Sequence, residues 1–491
     1  MTQIKFGTDG WRARIADDFT FENLRIVTSA FIQSAKPKSL AIGYDNRFQS
    51  EHFARAAAEV CAKNGIKVFL TKEAVPTPAL SFAVKHYKLS AGIMITASHN
   101  PADWNGFKIK EYFGGSARPE VTKAVESAIE AVGEIHEFPQ HPFIPLPQGE
   151  GGPSEGRWVR EAIEFINPKL DYFKHVEKLV DLKAIAASKV KIFVDPMYGS
   201  GAHYIKEILK PYGAEVEELH CRRDPLFGGV NPEPLPVNLI DTISYLKTFD
   251  RIFSACIVLD GDGDRLAAID PSGTYLSSHN VFSLILYHLV LNRKLTGRIV
   301  KTFNISRLIE KQAKKYNLEI IETPIGFKYI ADLMMQNEHE NAKKRILIGG
   351  EESGGIGIQG HLPERDGTLN GLLLLELMAK RGINLREILK EIMDELGYYF
   401  YDRIDLHLKN VGEIHELPRL REIKTNPPQT FAGRKVVKVE SLDGLKLNFD
   451  DESWILFRPS GTEPLIRIYA EARTEDETRR ILGEGEKMLI S

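Results

Sequence analysis

Residues 190–212 read VKIFVDPMYGSGAHYIKEILKPY: a β-branched apolar run to Asp195, a turn rich in Pro and Gly, then a helical pattern from 202 onward. A short apolar strand leading through a turn into a helix is the repeating unit of layered α/β proteins. The same alternation recurs on both sides. LAIG at 40–43 precedes a helical stretch at 51–64, the runs 67–70 and 92–96 extend that region, and SACIVL at 254–259 follows later. Runs at 298–302, 319–322 and 345–348 supply strands for a third unit. After Tyr398 the texture changes to alternating strand patterns at 401–408, 436–439, 454–457 and 465–470, which predicts a smaller α+β domain. The expectation is α/β: three similar units, compatible with a triplicated ancestor, and a C-terminal α+β domain, around a central cleft. The domains are placed at 1–170, 171–276, 277–394 and 395–491. The segment 137–156, EFPQHPFIPLPQGEGGPSEG, is crowded with Pro and Gly and reads as a surface loop or linker late in the first unit.

A chain of 491 residues exceeds one ordinary core, and 43% hydrophobic content suffices to build several. A net charge of −3, from 64 basic and 67 acidic residues, excludes the basic bias of a general nucleic-acid binder. Cys61, Cys221 and Cys256 are widely separated and form no CxxC pair, which suits a reduced cytoplasmic compartment and argues against a disulfide framework or zinc knuckle. The N-terminus shows no apolar signal core. The most apolar helical stretch, 372–378, is interrupted by Glu376 and falls short of the roughly 20 residues that span a bilayer. Neither a membrane nor a nucleic-acid partner is expected, and the sequence carries no mark of oligomeric state.

Four motifs carry chemistry. Asp260-Gly261-Asp262-Gly263-Asp264-Arg265 follows the strand at 254–259 directly. Three alternate carboxylates on a glycine-loosened backbone can converge on one hard cation. An EF-hand loop needs Gly at its sixth and Glu at its twelfth position, where this chain has Arg265 and Pro271. An acidic solvated turn is the competing reading. Three ligands leave room for a substrate oxygen and water, which suits magnesium, and Arg265 could hold a phosphoryl group or pair with neighbouring acids. In Thr96-Ala97-Ser98-His99-Asn100-Pro101, Asn100 and Pro101 oppose continuation of the strand before them, which predicts Ser98 and His99 on an exposed turn. Ser98 could equally be a turn or cap serine. A serine-hydrolase elbow is excluded by the absence of G-x-S-x-G. Asn105-Gly106-Phe107-Lys108 brings a cation close by. Ile348-Gly349-Gly350-Glu351-Glu352-Ser353-Gly354-Gly355 offers carboxylates and a hydroxyl for sugar hydroxyls, or is a polar turn. The G-x-G-x-x-G at 355–360 is followed by His361-Leu362-Pro363 where a dinucleotide fold starts a helix, which excludes that reading. Arg458-Pro459-Ser460-Gly461-Thr462-Glu463-Pro464, with Arg467, forms an anion-binding turn or an ordinary hairpin.

In this order the four motifs resemble those of the α-D-phosphohexomutase family, the phosphoglucomutases and phosphomannomutases, over essentially the whole chain. The resemblance implies a phosphoserine at Ser98 and magnesium held by Asp260, Asp262, Asp264 and the Ser98 phosphoryl group. It implies sugar contacts from Glu351 and Ser353, and a phosphate loop of Arg458, Ser460, Gly461, Thr462 and Arg467. Phe6-Gly7-Thr8-Asp9-Gly10-Trp11-Arg12 resembles the family's opening segment, whose arginine approaches the phosphoserine, which makes Arg12 a site residue. His99 and Lys108 match its proton-transfer positions. Thr323-Pro324-Ile325-Gly326-Phe327-Lys328, with Lys328 a substrate contact, and the Glu351-Glu352-Ser353 loop look more like phosphoglucomutases than phosphoglucosamine mutases, which favour Gln at the middle loop position. Gly355 stands where several dual-specificity relatives carry histidine. The implied activity interconverts glucose 1-phosphate and glucose 6-phosphate, with mannose phosphates as a further substrate, through glucose 1,6-bisphosphate as intermediate and activator. A glucose 1,6-bisphosphate synthase and a non-catalytic sugar-phosphate-binding regulator are the alternatives.

Overall fold

The computed structural model describes residues 4–132, 162–249, 252–407, 418–459 and 465–490; the Pro- and Gly-crowded segment 137–156 lies outside them. The first sheet contains β1 (Trp11–Arg14), β2 (Ser39–Tyr44), β3 (Lys67–Thr71), β4 (Ala91–Ile95), β5 (Trp104–Glu111) and β6 (Ile163–Ile166), in the order β1-β5-β4-β2-β3-β6. The second contains β7 (Lys191–Asp195), β8 (Val216–Glu218), β9 (Ser254–Leu259), β10 (Leu266–Ile269) and β11 (Tyr275–Leu276), ordered β11-β10-β9-β7-β8. The third contains β12 (Arg298–Thr302), β13 (Ile320–Thr323), β14 (Ile346–Gly350) and β15 (Ile356–Ile358), ordered β13-β12-β14-β15.

A common unit emerges. Each sheet contains three parallel strands in the spatial order second, first, third, with a further strand returning antiparallel beside the third: β5 on β4, β10 on β9, β15 on β14; the first sheet adds β6 parallel to β3 and β1 antiparallel to β5. The central strands β4, β9 and β14 are buried throughout, as expected of parallel strands covered on both faces. β5 was not legible in the sequence, because Lys108 and Lys110 alternate with Phe107 and Ile109 and suggest one wet face. Both lysines are fully buried, so that face is closed by the neighbouring units.

A continuous apolar core joins the three units, running through Leu80, Tyr172, Leu259, Phe282, Ile348 and Leu373. Its centre is the helix Gly367–Arg381, started by Asp366, whose side chain accepts from Leu369 N. This helix includes the apolar stretch singled out in the sequence. Glu376, which interrupts it, is buried and accepts from Arg293 at 2.7 and 3.1 Å. Among the described residues no helix is long and apolar enough to cross a membrane.

The C-terminal domain is one antiparallel sheet of β16 (Phe400–His407), β17 (Thr430–Phe431), β18 (Arg434–Glu440), β19 (Leu445–Phe449), β20 (Trp454–Pro459) and β21 (Leu465–Ala472), ordered β16-β21-β20-β19-β18-β17 and backed by the helix Glu475–Ile490. Its own core is separate, and a small cluster of Phe303, Trp454, Leu456 and Tyr469 connects it to the third unit.

Candidate functional site

Three of the four motifs occupy the same place in the fold: each is the loop between the third parallel strand and its antiparallel return. Residues 96–103 join β4 to β5, residues 260–265 join β9 to β10, and residues 351–355 join β14 to β15. The shared core turns these loops toward one another. Arg265 bridges to Gly355, and Leu266 N donates to Gly354 O at 3.2 Å. Gly261 lies so close to the serine turn that a Cβ there would stand 2.5 Å from Ser98 O.

Ser98 is therefore fully buried, against the expectation of an exposed turn. The turn does leave its strand at Ser98, with φ +53°, a left-handed conformation that costs a non-glycine residue energy. It is over-determined from beneath: Arg47 donates to Ser98 O at 2.7 Å, Asn100 O at 2.6 Å and Pro101 O at 2.7 Å. Asp45 anchors Arg47 Nε at 3.2 Å and accepts from Thr96 Oγ1 at 2.6 Å, whose oxygen in turn receives Ser98 N at 2.8 Å. What the sequence could not show is that the second unit covers this turn. The Ser98 hydroxyl donates to Asp260 Oδ2 at 2.7 Å, 162 residues away in the chain.

Asp260, Asp262 and Asp264 are all fully buried, with ligand atoms within 4.8 Å of one another. Burial, aided by the charges of Asp262 and Asp264, pushes the Asp260 carboxyl well above the usual carboxylate range. Burial acts the same way on Asp262, but Lys108 overrides it and holds that carboxyl low. Lys108 Nζ lies 2.8 Å from Asp262, 3.1 Å from Asp264 and 2.9 Å from Asp9, and Thr77 Oγ1 donates to Asp262 at 2.5 Å. Asp262 Oδ1 and Asp264 Oδ1 remain buried without a hydrogen-bond partner. Crowded carboxylates with two unused hard oxygens fit a magnesium-type cation.

Cations contact the serine turn and the triad. Arg12, brought over β5 by the pairing of Arg12 with Gly106, donates to Asn100 Oδ1 at 2.9 Å. Arg265 N donates to Asp260 at 3.1 Å, while its buried Nε has no hydrogen-bond partner. His99 Nδ1 is 3.5 Å from Ser98 Oγ, and burial together with Arg265, Arg12, Lys108 and Arg467 holds the imidazole well below its usual pKa. Besides Asp45 and Arg47 beneath the turn, two further charged residues were not legible in the sequence. Asp9 sits in the FGTDGWR segment from which only Arg12 was taken, and Arg365 follows the sugar loop; they pair with each other, and Arg365 also reaches Asp264 at 2.7 Å and Glu351 at 3.5 Å.

In the third loop, burial first and Glu352 next raise the Glu351 carboxyl to about 7, against the pull of Arg365. Ser353 Oγ and Glu352 Oε2 lack hydrogen-bond partners. A Cβ at Gly355 would stand 2.2 Å from Arg365 Cδ, so the Arg365 stem fills the space that a side chain at 355 would need. Lys328, near the start of the helix Phe327–Gln336, lines a narrow cleft with Asp9 and Thr122. In the C-terminal sheet Arg458 and Arg467 are directly paired across β20 and β21, and Asp443 steadies Arg458 Nε at 3.1 Å. Ser460, Gly461 and Thr462 lie outside the described residues.

Models of the phosphoglucomutase/phosphomannomutase family match nearly the whole chain: α/β/α domain I over residues 3–136, domain II over 170–273, domain III over 277–396, and the C-terminal domain over 417–485. A phosphoglucomutase/phosphomannomutase of Thermococcus kodakarensis is 28% identical, over 99% of this chain and 98% of that protein. A phosphoglucosamine/phosphogalactosamine mutase of Sulfurisphaera tokodaii is likewise 28% identical, over 99% and 98%. A crystal structure from Thermus thermophilus, described as a phosphomannomutase, superposes with a TM-score of 0.83 at 33% identity and covers both chains completely.

Proposed function

The chain belongs to the α-D-phosphohexomutase family, the phosphoglucomutases and phosphomannomutases, and from that premise we propose that it interconverts glucose 1-phosphate and glucose 6-phosphate through a phosphorylated Ser98. The reading rests above all on one observation: a buried serine hydroxyl 2.7 Å from Asp260 of an aspartate triad, on a turn that Arg12 contacts through Asn100 and beside a triad that Lys108 and Arg265 contact. A passive binder has no use for such a nucleophile.

Asp260, Asp262 and Asp264, with a phosphoryl oxygen on Ser98, would hold magnesium, which supplies charge neutralisation to the phosphoryl group when bound. The protein's own residues do the rest. Phosphoryl transfer demands alignment and electrostatic stabilisation more than covalent chemistry. Arg12 and Arg265 complement the charge on the transferring oxygens. The free 6-hydroxyl of glucose 1-phosphate attacks phosphorus as the bond to Ser98 Oγ breaks. Its proton passes to neutral His99 rather than to Lys108, which three carboxylates hold as an ammonium, and His99 Nδ1, 3.5 Å from Ser98 Oγ, returns a proton to that departing oxygen, leaving the hydroxyl seen against Asp260. The product, glucose 1,6-bisphosphate, turns over and returns its 1-phosphoryl group to Ser98, releasing glucose 6-phosphate. Glu351 and Ser353 accept and donate to sugar hydroxyls in either orientation, while Arg458, Arg467 and the loop 460–464 hold the phosphate that is not reacting. The buried turn protects phosphoserine from water between half-reactions.

Phosphorus NMR of the phosphorylated protein with magnesium, glucose 1-phosphate and a trace of glucose 1,6-bisphosphate tests this, with mannose and glucosamine 1-phosphates run in parallel. Conversion to glucose 6-phosphate, lost in Ser98→Ala, is the expected outcome. Full turnover in Ser98→Ala, or stoichiometric accumulation of bisphosphate, would overturn the mechanism, and preferential conversion of another sugar would overturn the choice of glucose.

A further inference from the structure

A second cluster of metal-binding side chains lies in the second unit, apart from the aspartate triad. His203, Glu218 and Cys221 present ligand atoms that all lie within 4.8 Å of one another. They come from two segments: His203 precedes the helix Tyr204–Leu209, Glu218 ends β8, and Cys221 lies three residues further on. The Glu218 side chain is 1% exposed, and its two oxygens accept from His203 N at 2.7 Å and His203 Nδ1 at 2.8 Å. Lys206 Nζ stands 3.8 Å from the same carboxylate. Cys221 is a half-buried free thiol, whereas Cys61 and Cys256 are buried in the core.

From this juxtaposition we infer that His203, Glu218 and Cys221 form a binding site for a zinc-class divalent cation. A neutral imidazole, a carboxylate and a thiolate bring two negative charges to a dication, and a fourth position stays open to water. Thiolate and imidazole together select borderline metals such as zinc and cobalt and reject magnesium, which prefers all-oxygen sites. The two metal sites of the chain are thus chemically orthogonal. Binding releases the Cys221 thiol proton. It also moves the imidazole proton from Nδ1 to Nε2, because Nδ1 donates to Glu218 in the metal-free arrangement. Tetrahedral ligands at ordinary zinc distances are about 3.5 Å apart, so closure from the present spacing needs side-chain rotation of the order of 1 Å, which the half-exposed His203 ring can supply.

The location gives the ion a structural task. The turn leading into His203 supports the acidic loop: Ser200 N donates to Gly261 O at 3.0 Å, and a Cβ on Gly199 would stand 2.7 Å from Gly261 O and 2.9 Å from Asp260 O. Tyr198 N, in turn, donates to His220 O, beside Cys221, at 2.8 Å. A cation bridging 203, 218 and 221 therefore ties the turn that supports the acidic loop to the chain after β8.

The test is a cobalt(II) titration of the full-length protein, with magnesium in excess to occupy the triad. One equivalent of cobalt should produce a thiolate-to-cobalt charge-transfer absorption that zinc abolishes. Cys221→Ser should remove that absorption, and His203→Gln should weaken binding by about tenfold or more. Independently of any variant, zinc should slow alkylation of Cys221 in the wild-type protein, read by peptide mass, at least about tenfold. No charge-transfer band, a band that survives Cys221→Ser, or alkylation indifferent to zinc would each overturn the assignment.

Discussion

Replacing Glu351 by glutamine should stabilise the protein while disabling it. Glu351 is 6% exposed, and the cation paired with it, Arg365, is 3.5 Å away. Burial lifts its carboxyl from the ordinary glutamate value of 4.5 to about 7. A carboxyl whose folded pKa lies above its unfolded one supports folding fully only below the unfolded value, and that support is lost as pH rises through the folded value. At about 1.4 kcal/mol per pKa unit, the accumulated penalty is roughly 1.4 kcal/mol near pH 5.5 and about 3 kcal/mol near pH 8. Glutamine keeps the shape and carries no such penalty, so its stabilisation should be about 2 kcal/mol larger at the higher pH. At roughly 2 °C per kcal/mol for a large cooperative unit, the gain in Tm should be greater by about 4 °C. Scanning calorimetry of both proteins at the two pH values, without sugar phosphate or divalent ion, reads this difference. Turnover should fall in the same variant, by about 10- to 100-fold in kcat/KM, because sugar hydroxyls lose a charged acceptor. An equal Tm change at both pH values, or a lower Tm at pH 8, would refute the reasoning.

Arg458→Ala removes a forked phosphate donor at the end of β20 and should raise KM about 10- to 100-fold, while intact mass still shows phosphorylated Ser98; an unchanged KM would remove the role given to that turn. Lys108→Ala leaves Asp262 without its ion-pair cation, while Asp9 and Asp264 keep Arg365, and should cost about 3–5 kcal/mol. Thermal melts should show that loss partly restored by excess magnesium, and a melt that magnesium does not move would contradict it. Gly106→Ala puts a Cβ 2.5 Å from Thr96 O and 2.8 Å from Trp11 O; it should disturb the β1–β5–β4 pairing that places Arg12 and Ser98, and activity should drop even in molecules that remain folded, as judged by circular dichroism.

The strand-and-helix alternation, the change of texture after Tyr398 and the chemistry of the loops at 96–101, 260–265 and 351–355 are local properties, set by side-chain type, glycine content and chain spacing, and the sequence alone determined them. The site itself is not local. Ser98 meets Asp260 across 162 residues, Lys108 meets Asp262 across 154, and Arg365 meets Asp9 across 356. Those contacts exist because one apolar core locks together three sheets that share the same four-strand unit, with their return loops converging. Only the tertiary structure decided that the Ser98 turn is buried rather than exposed, that the lysines of β5 face carboxylates rather than water, and that Asp9, Arg365 and the His203–Glu218–Cys221 cluster have partners at all. The physical reason is that burial and charge pairing belong to the packed assembly, whereas propensity and periodicity belong to the chain.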